Sequence, residues 1–204
     1  MIKCNISKFA YGKNVVLKDI NVKIKTGTIN ALVGDNGAGK STFLHLLSGA
    51  IKSDSVVIEH KLKTVIGAFQ EPMILNRSVY DNLLHICNVL NVENPHTKIT
   101  NALKEVSLLK NKDKPAPNLS GGQKMRLQIA RMIAVDADLW ILDEPFSALD
   151  EKSHENLIKT LKKYNAKGVT IIIATHSNKS HNIFTNTYHL KNNNIKQVKS
   201  TCKI

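Results

Sequence analysis

The stretch Ala31-Leu32-Val33-Gly34-Asp35-Asn36-Gly37-Ala38-Gly39-Lys40-Ser41-Thr42 decides how the chain is read. Ile29, Ala31, Leu32 and Val33 end a buried strand. Gly34 to Gly39 make a glycine-rich turn, and Lys40, Ser41 and Thr42 open a helix that continues through Phe43, Leu44, Leu46 and Leu47. The spacing, G-x-x-x-x-G-K-S between a strand and a helix, is that of a phosphate-binding loop. Gly34, Gly37 and Gly39 carry no Cβ, so the backbone can turn sharply and close its N–H groups on an anion. The helix adds the positive end of its dipole. Lys40 supplies a point charge for the β- and γ-phosphates, and Ser41 a hydroxyl for Mg²⁺.

Other strands end in residues that suit the same chemistry. Leu139-Trp140-Ile141-Leu142 is wholly apolar and runs into Asp143-Glu144-Pro145. Asp143 can hold Mg²⁺, directly or through water. Glu144 can take a proton from an attacking water or orient it. Trp140 is assigned to the core. A second apolar run, Val169 to Ala174, leads to Thr175-His176, which makes His176 a candidate for the γ-phosphate; the other histidines show no comparable placement and are assigned to surface or packing. Residues 64–69 form a short strand ending in Gln70-Glu71-Pro72, where Pro72 turns the chain. Gln70 faces the crevice at the end of that strand. It reaches Mg²⁺ or the attacking water, or is an ordinary strand-end polar residue. Tyr11, in Phe9-Ala10-Tyr11-Gly12, either stacks on a nucleotide base or packs in the core.

Between these strands the pattern changes. Residues 2–7, 20–24 and 55–59 read as strands, the first two by alternation of apolar and polar side chains. Residues 78–112 are helical, with one stripe of Val79, Leu83, Ile86 and Leu90 and another of Ile99, Leu103, Val106 and Leu109, separated at Asn94-Pro95. Residues 112–118 read as a linker. Leu119-Ser120-Gly121-Gly122-Gln123 then precedes a helix through Arg126, Ile129, Ala130 and Ile133. Glycines and a serine at a helix start form a second anion-binding arrangement. It can serve the same nucleotide only if the chain folds back or another chain supplies it. Ser147 to Asp150 turns into a helix carrying Leu157, Ile158 and Leu161, and residues 187–195 form a final strand pair with little chain after it, so no further regulatory domain is expected.

A chain of 204 residues with 42% hydrophobic content suits one globular domain. The apolar runs fall short of the roughly 20 residues a membrane span needs, and the N-terminus lacks an apolar signal segment. The expectation is a soluble or peripheral cytoplasmic protein. Three scattered cysteines, Cys4, Cys87 and Cys202, suit a reducing compartment and form no metal-ligand spacing. The net charge of +13 admits nucleic acid or an anionic membrane face as partner, yet the basic residues are spread along the chain without an arginine cluster, as a lysine- and asparagine-rich coding bias would leave them.

Taken in order, the phosphate loop, Gln70, the pentapeptide 119–123, Asp143 and Glu144, residues 147–150 and His176 resemble the nucleotide-binding subunit of an ATP-binding cassette (ABC) transporter over nearly the whole chain. The pentapeptide is the specific element, because other phosphate-loop proteins lack it. The resemblance implies an α/β P-loop NTPase (ABC ATPase) core with an N-terminal antiparallel β region. It implies a single domain over residues 1–204, with a catalytic core of 1–70 and 126–204 and a helical signature subdomain of 71–125. It implies ATP and Mg²⁺ as ligands, with Tyr11 on adenine, residues 34–42 on the phosphates, Ser41, Gln70 and Asp143 at the metal, and Glu144, His176 and Gln70 in hydrolysis. Two cassettes pair head to tail, so that Ser120, Gly121, Gly122 and Gln123 of one complete the γ-phosphate site of the other, and Asp150 lies across their interface. The resemblance also implies that the surface near residues 70–76 receives a short cytoplasmic helix of a transmembrane permease subunit.

The signature continues Lys124-Met125-Arg126, with Arg126 where the family commonly has a basic residue, and Ser177 follows His176 where many relatives carry an acid. Residues 69–72 and 143–150 look more like importer subunits. Residues 139–142 and the short length are similar to cytochrome c-type biogenesis exporters, which often differ at the position of Gly121. No substrate follows. Two other functions fit the same chemistry. One is an ABC ATPase acting on ribosome or nucleic acid, favoured by the charge and opposed by the single cassette. The other is a scaffolding cassette that seldom hydrolyses ATP, opposed by the complete residue set.

Overall fold

The computed structural model describes residues 1–147, 149–176 and 182–198. Strands β1 (Ile2–Tyr11) and β2 (Asn14–Ile24) pair antiparallel, with Ile2 opposite Ile24, Cys4 opposite Val22 and Ile6 opposite Ile20. The alternation expected for residues 2–7 and 20–24 is present, but both strands run on to the turn at Gly12, past a register slip between Phe9 and Ala10. The slip hid the extension, because it breaks the period of two on which the reading rests. After β3 (Ile29–Val33) and α1 (Lys40–Leu47), strand β4 (Val56–Glu59) adds to the free side of β1 and gives a three-stranded sheet, β2-β1-β4.

The second sheet holds the site. It takes β3, β5 (Val65–Ala68), β6 (Leu139–Asp143), β7 (Thr170–Thr175), β8 (Asn186–Lys191) and β9 (Asn194–Val198) in the order β5-β6-β7-β3-β8-β9. All neighbours are parallel except β8 and β9, a hairpin turning at Asn192 and Asn193, both with positive φ. Every residue of β6 and β7 is buried, as a parallel strand covered on both faces requires. One face, with Leu32, Ile141, Ile172 and Ala174, packs on Phe43, Leu44 and Leu47 of α1 and on the inner side of the antiparallel sheet. The other, with Ala31, Trp140, Leu142, Ile171 and Ile173, packs on α2 (Val79–Val89), α3 (Pro95–Glu105), α4 (Gly121–Ala134) and α5 (Glu151–Ala166). Trp140 is fully buried and donates Nε1–H to the Ala137 carbonyl at 3.1 Å.

Two expectations for the helical block are corrected. Leu90 is 41% exposed, and the buried stripe of α2 is Val79, Leu83 and Cys87. α2 ends at Val89, so Leu90 no longer follows the helical period. Residues 112–118 are not a free linker: the Val79 and Tyr80 N–H groups donate to the Lys114 and Lys112 carbonyls, and Ala116 N–H donates to the Arg77 carbonyl. Cys4 and Cys87 are buried thiols, and burial pushes the Cys4 pKa up to about 12. No helix among the described residues is long and apolar enough to cross a membrane.

Candidate active site

Parallel strands end together, and that places the site. The phosphate loop follows β3, Gln70 lies two residues past β5, Asp143 closes β6, and His176 follows β7. Asp143 stands opposite Ala174, and Val33 opposite Thr175. A cleft of about 510 Å³ opens there, lined by Asn36, Gly37, Gly39, Lys40, Ser41, Thr42, Gln70, Asp143, Glu144 and His176. Val16 and Ser147 complete its wall. Val16 had no signal of its own, since it approaches the loop only through the β1–β2 hairpin.

The glycines of the loop have distinct reasons. A Cβ on Gly34 would stand 2.5 Å from the Leu190 carbonyl oxygen, whereas Gly37 has open space around it and needs its freedom for φ +77°. Gly39, at φ +102°, caps α1 without a side chain, so the first-turn N–H groups of that helix face the cleft without a side-chain cap. Lys40 is buried and donates Nζ hydrogens to the carbonyls of Gly34 at 2.8 Å and Asp35 at 3.0 Å.

Glu144 joins Lys40 to His176. Its Oε1 accepts from His176 Nδ1 at 2.9 Å and lies 3.9 Å from Lys40 Nζ, and the carboxylate is 7% exposed. Its backbone is left-handed, φ +50°, which costs a residue with a side chain about 1–2 kcal/mol. Glu144 N–H donates to the Ala174 carbonyl at 3.0 Å, and Ser147 Oγ–H donates to the Glu144 carbonyl at 2.9 Å, so neighbours hold the strained conformation. Strain of this kind collects at functional sites.

Asp143 fits a cation. It is buried, and its Oδ1 has no hydrogen-bond partner. A buried carboxylate oxygen without a donor is costly unless something positive meets it. With Ser41 and Gln70 on the same cleft, the donors are a carboxylate, a hydroxyl and an amide oxygen, the hard set that suits Mg²⁺ alongside phosphate and water. Among the described residues no group of three or more His, Cys, Asp or Glu forms a competing metal site.

Several expected site residues lie elsewhere. Tyr11 is 53% exposed at the end of β1, edge-on to Phe9, which removes the core-packing alternative. Ser120 and Gln123 engage each other as the capping box of α4, with Gln123 N–H donating to Ser120 Oγ and Ser120 N–H to Gln123 Oε1. Gly121 lines a neighbouring cleft of about 390 Å³ with Gln70, Glu144 and Ser147, away from Lys40. Asp150 caps α5, its carboxylate accepting from Ser153 N–H at 2.7 Å, and these hydrogen bonds hold its pKa below the usual carboxylate value. Ala148 and Ser177 lie outside the described residues.

Residues 17–147 match the sequence profile of the family described as ABC transporter. The chain belongs to the ABC transporter family. This cassette is 34% identical over 196 residues to the energy-coupling factor transporter ATP-binding protein EcfA1 of Fusobacterium nucleatum, covering 87% of this chain and 74% of the relative. It is 38% identical to the methionine import ATP-binding protein MetN of Clostridium acetobutylicum, over 84% of this chain and 59% of that longer relative. Among solved structures, cbiO1 from Clostridium perfringens, part of the ABC transporter complex cbiONQ, shares 29% identity at a TM-score of 0.81, over 98% of this cassette and 88% of cbiO1. A dimeric cassette bound to ADP and Pi shares the fold over the whole of both chains, at a TM-score of 0.87 and 23% identity.

Proposed function

We propose that this chain is the ATP-hydrolysing subunit of an ABC transporter, peripheral on the cytoplasmic face through its permease subunits. The observation that carries the reading is the convergence of Lys40, Asp143, Glu144 and His176 on one cleft behind a phosphate loop. The loop and the first turn of α1 bind the β- and γ-phosphates, and Tyr11 stacks on the adenine. Ser41, Gln70 and Asp143 hold Mg²⁺, which when bound offsets charge on the transferred phosphoryl group. As the phosphates enter, they draw Lys40 from the Gly34 and Asp35 carbonyls. Lys40 and His176 flank Glu144, and both have a γ-phosphate to turn to. Glu144 is then free to accept a proton from the attacking water.

Within one chain the signature stays outside this cleft, and its serine and glycines are exposed or half-exposed at the start of α4. A second copy, paired head to tail, brings Ser120, Gly121, Gly122 and Gln123 to the γ-phosphate, a self-complementary interface. Asp150 lies across it. Met73, 82% exposed beside Gln70, belongs to the surface that meets the permease.

The test is Glu144→Gln. The variant keeps ATP binding and loses turnover by about 10²–10⁴-fold, the worth of a positioned base. In ATP it should capture a polytopic membrane protein from detergent-solubilised cells of its own source. Wild-type turnover would remove Glu144 from its role. Recovery of ribosomes or nucleic acid instead would leave the ATPase chemistry standing and move its purpose away from transport.

A further inference from the structure

Gln70 enters the cleft from a segment that the sheet no longer holds. The β5–β6 ladder has its last pair at Ala68 and Leu142, so Gln70 is two residues beyond it and exposed. The preceding side chain is what is fixed. The Phe69 ring folds back over Gly67, where a Cβ would stand 2.5 Å from two ring carbons. The same ring stacks on His45, centroids 4.1 Å apart and planes at 29°. His45 is half-buried in the last turn of α1, the helix whose first residues are Lys40 and Ser41. On the other side of Gln70, Arg131 of α4 donates Nη1–H to the Met73 carbonyl at 2.6 Å and Nη2–H to Asn82 Oδ1 at 2.8 Å. Residues 70–72 therefore run between one anchor on the phosphate-loop helix and another on the signature helix.

We propose that His45 is a positioning residue for Gln70: through the Phe69 stack it ties the direction of the strand-end amide to the helix that carries the phosphate loop. The inference rests on the role given to Gln70 above. Packed aromatic contacts are directional, and an ångström of misplacement at a reacting centre is felt strongly in rate. Replacing the His45 ring by a methyl group frees Phe69 to leave Gly67, and the Gln70 peptide turns with it.

The experiment uses the full chain as wild type, His45→Ala, His45→Phe, Gln70→Ala and the double variant His45→Ala/Gln70→Ala. His45→Ala should lower kcat about tenfold and raise the Mg²⁺ concentration for half-maximal turnover, while ATP affinity in EDTA stays within about twofold. His45→Phe, which keeps a stacking ring, should restore kcat to within about twofold, and His45→Ala should cost nothing further once Gln70 is alanine. The nitrogen-15 resonance of the Gln70 side-chain amide gives a readout apart from turnover. It should shift on adding Mg²⁺ and a non-hydrolysable ATP analogue in the wild type and His45→Phe, and stay unmoved in His45→Ala. An equal loss in both Gln70 backgrounds overturns the proposal, as does failure of phenylalanine to rescue at unchanged melting temperature, or a wild-type resonance shift in His45→Ala. A wild type that binds no ATP would strike the proposed function itself, whereas ATP binding with a normal resonance shift in His45→Ala strikes only the His45 role.

Discussion

A methyl group added at Gly34 would press on the Leu190 carbonyl oxygen, a main-chain atom of the sheet that cannot swing aside. Gly34→Ala should therefore cost about 1–3 kcal/mol, the usual range for overpacking, read as a lower denaturation midpoint at unchanged slope. Gly37→Ala meets no atom and suffers only its left-handed backbone. The sequence spacing marked both glycines, but it could not separate their reasons, because the Leu190 contact depends on β8 lying beside β3. The same holds for Glu144. Its carboxylate was legible at the end of an apolar strand, while its positive φ and its approach to Lys40 and His176 exist only once β6, β7 and α1 are packed. His45 carried no motif at all; its contact is with Phe69, one residue past the end of β5, which the chain reaches only after β4.

At the scale of the element, α4 is the most self-contained part of the site. Ser120 and Gln123 close its capping box with their own backbone N–H groups, so the signature holds its shape before any partner arrives. Ser120→Ala should cost about 1 kcal/mol through the lost cap, which for a chain of this size lowers Tm by about 2–4 °C. Scanning calorimetry of the isolated chain checks it. If the signature serves a second copy, the same variant also weakens ATP-driven pairing seen by size-exclusion chromatography, an effect the cap alone would not produce. Elements bounded by a motif, such as α1, β6 and β7, were readable within about a residue or two. The 112–118 segment misled because its two prolines suggest a tether, whereas its carbonyls serve the free N–H groups at the start of α2.

The whole molecule is built on one sheet shared by two cores. Ile173 sits in the middle of β7, fully buried, on the face that meets α2 to α5. Ile173→Ala should cost about 2–5 kcal/mol and lower Tm by about 5–15 °C. Because the opposite face of the same strand packs on α1 and the antiparallel sheet, unfolding should remain one transition by near- and far-ultraviolet circular dichroism; two separated transitions would mean that the cores are independent. The phosphate loop between a strand and a helix, with the family resemblance built on it, made the α/β class legible. The strand order was not, since nothing local to β3 states that its neighbours are β7 and β8.

That strand order sets a timetable for the newborn chain. The strand that ends in the phosphate loop leaves the ribosome well before both of its neighbours, β7 and β8. At about 5–20 residues per second, the roughly 140 residues between them take about 7–28 s to synthesise. Throughout that interval β3, with its apolar side chains, has two edges of unpaired N–H and C=O groups, and such edges recruit other strands. The cluster of Lys40, Glu144 and His176 cannot assemble until residue 176 is out, because these side chains meet only in the closed sheet. The strand that carries the loop is therefore made long before the two strands that cover its edges.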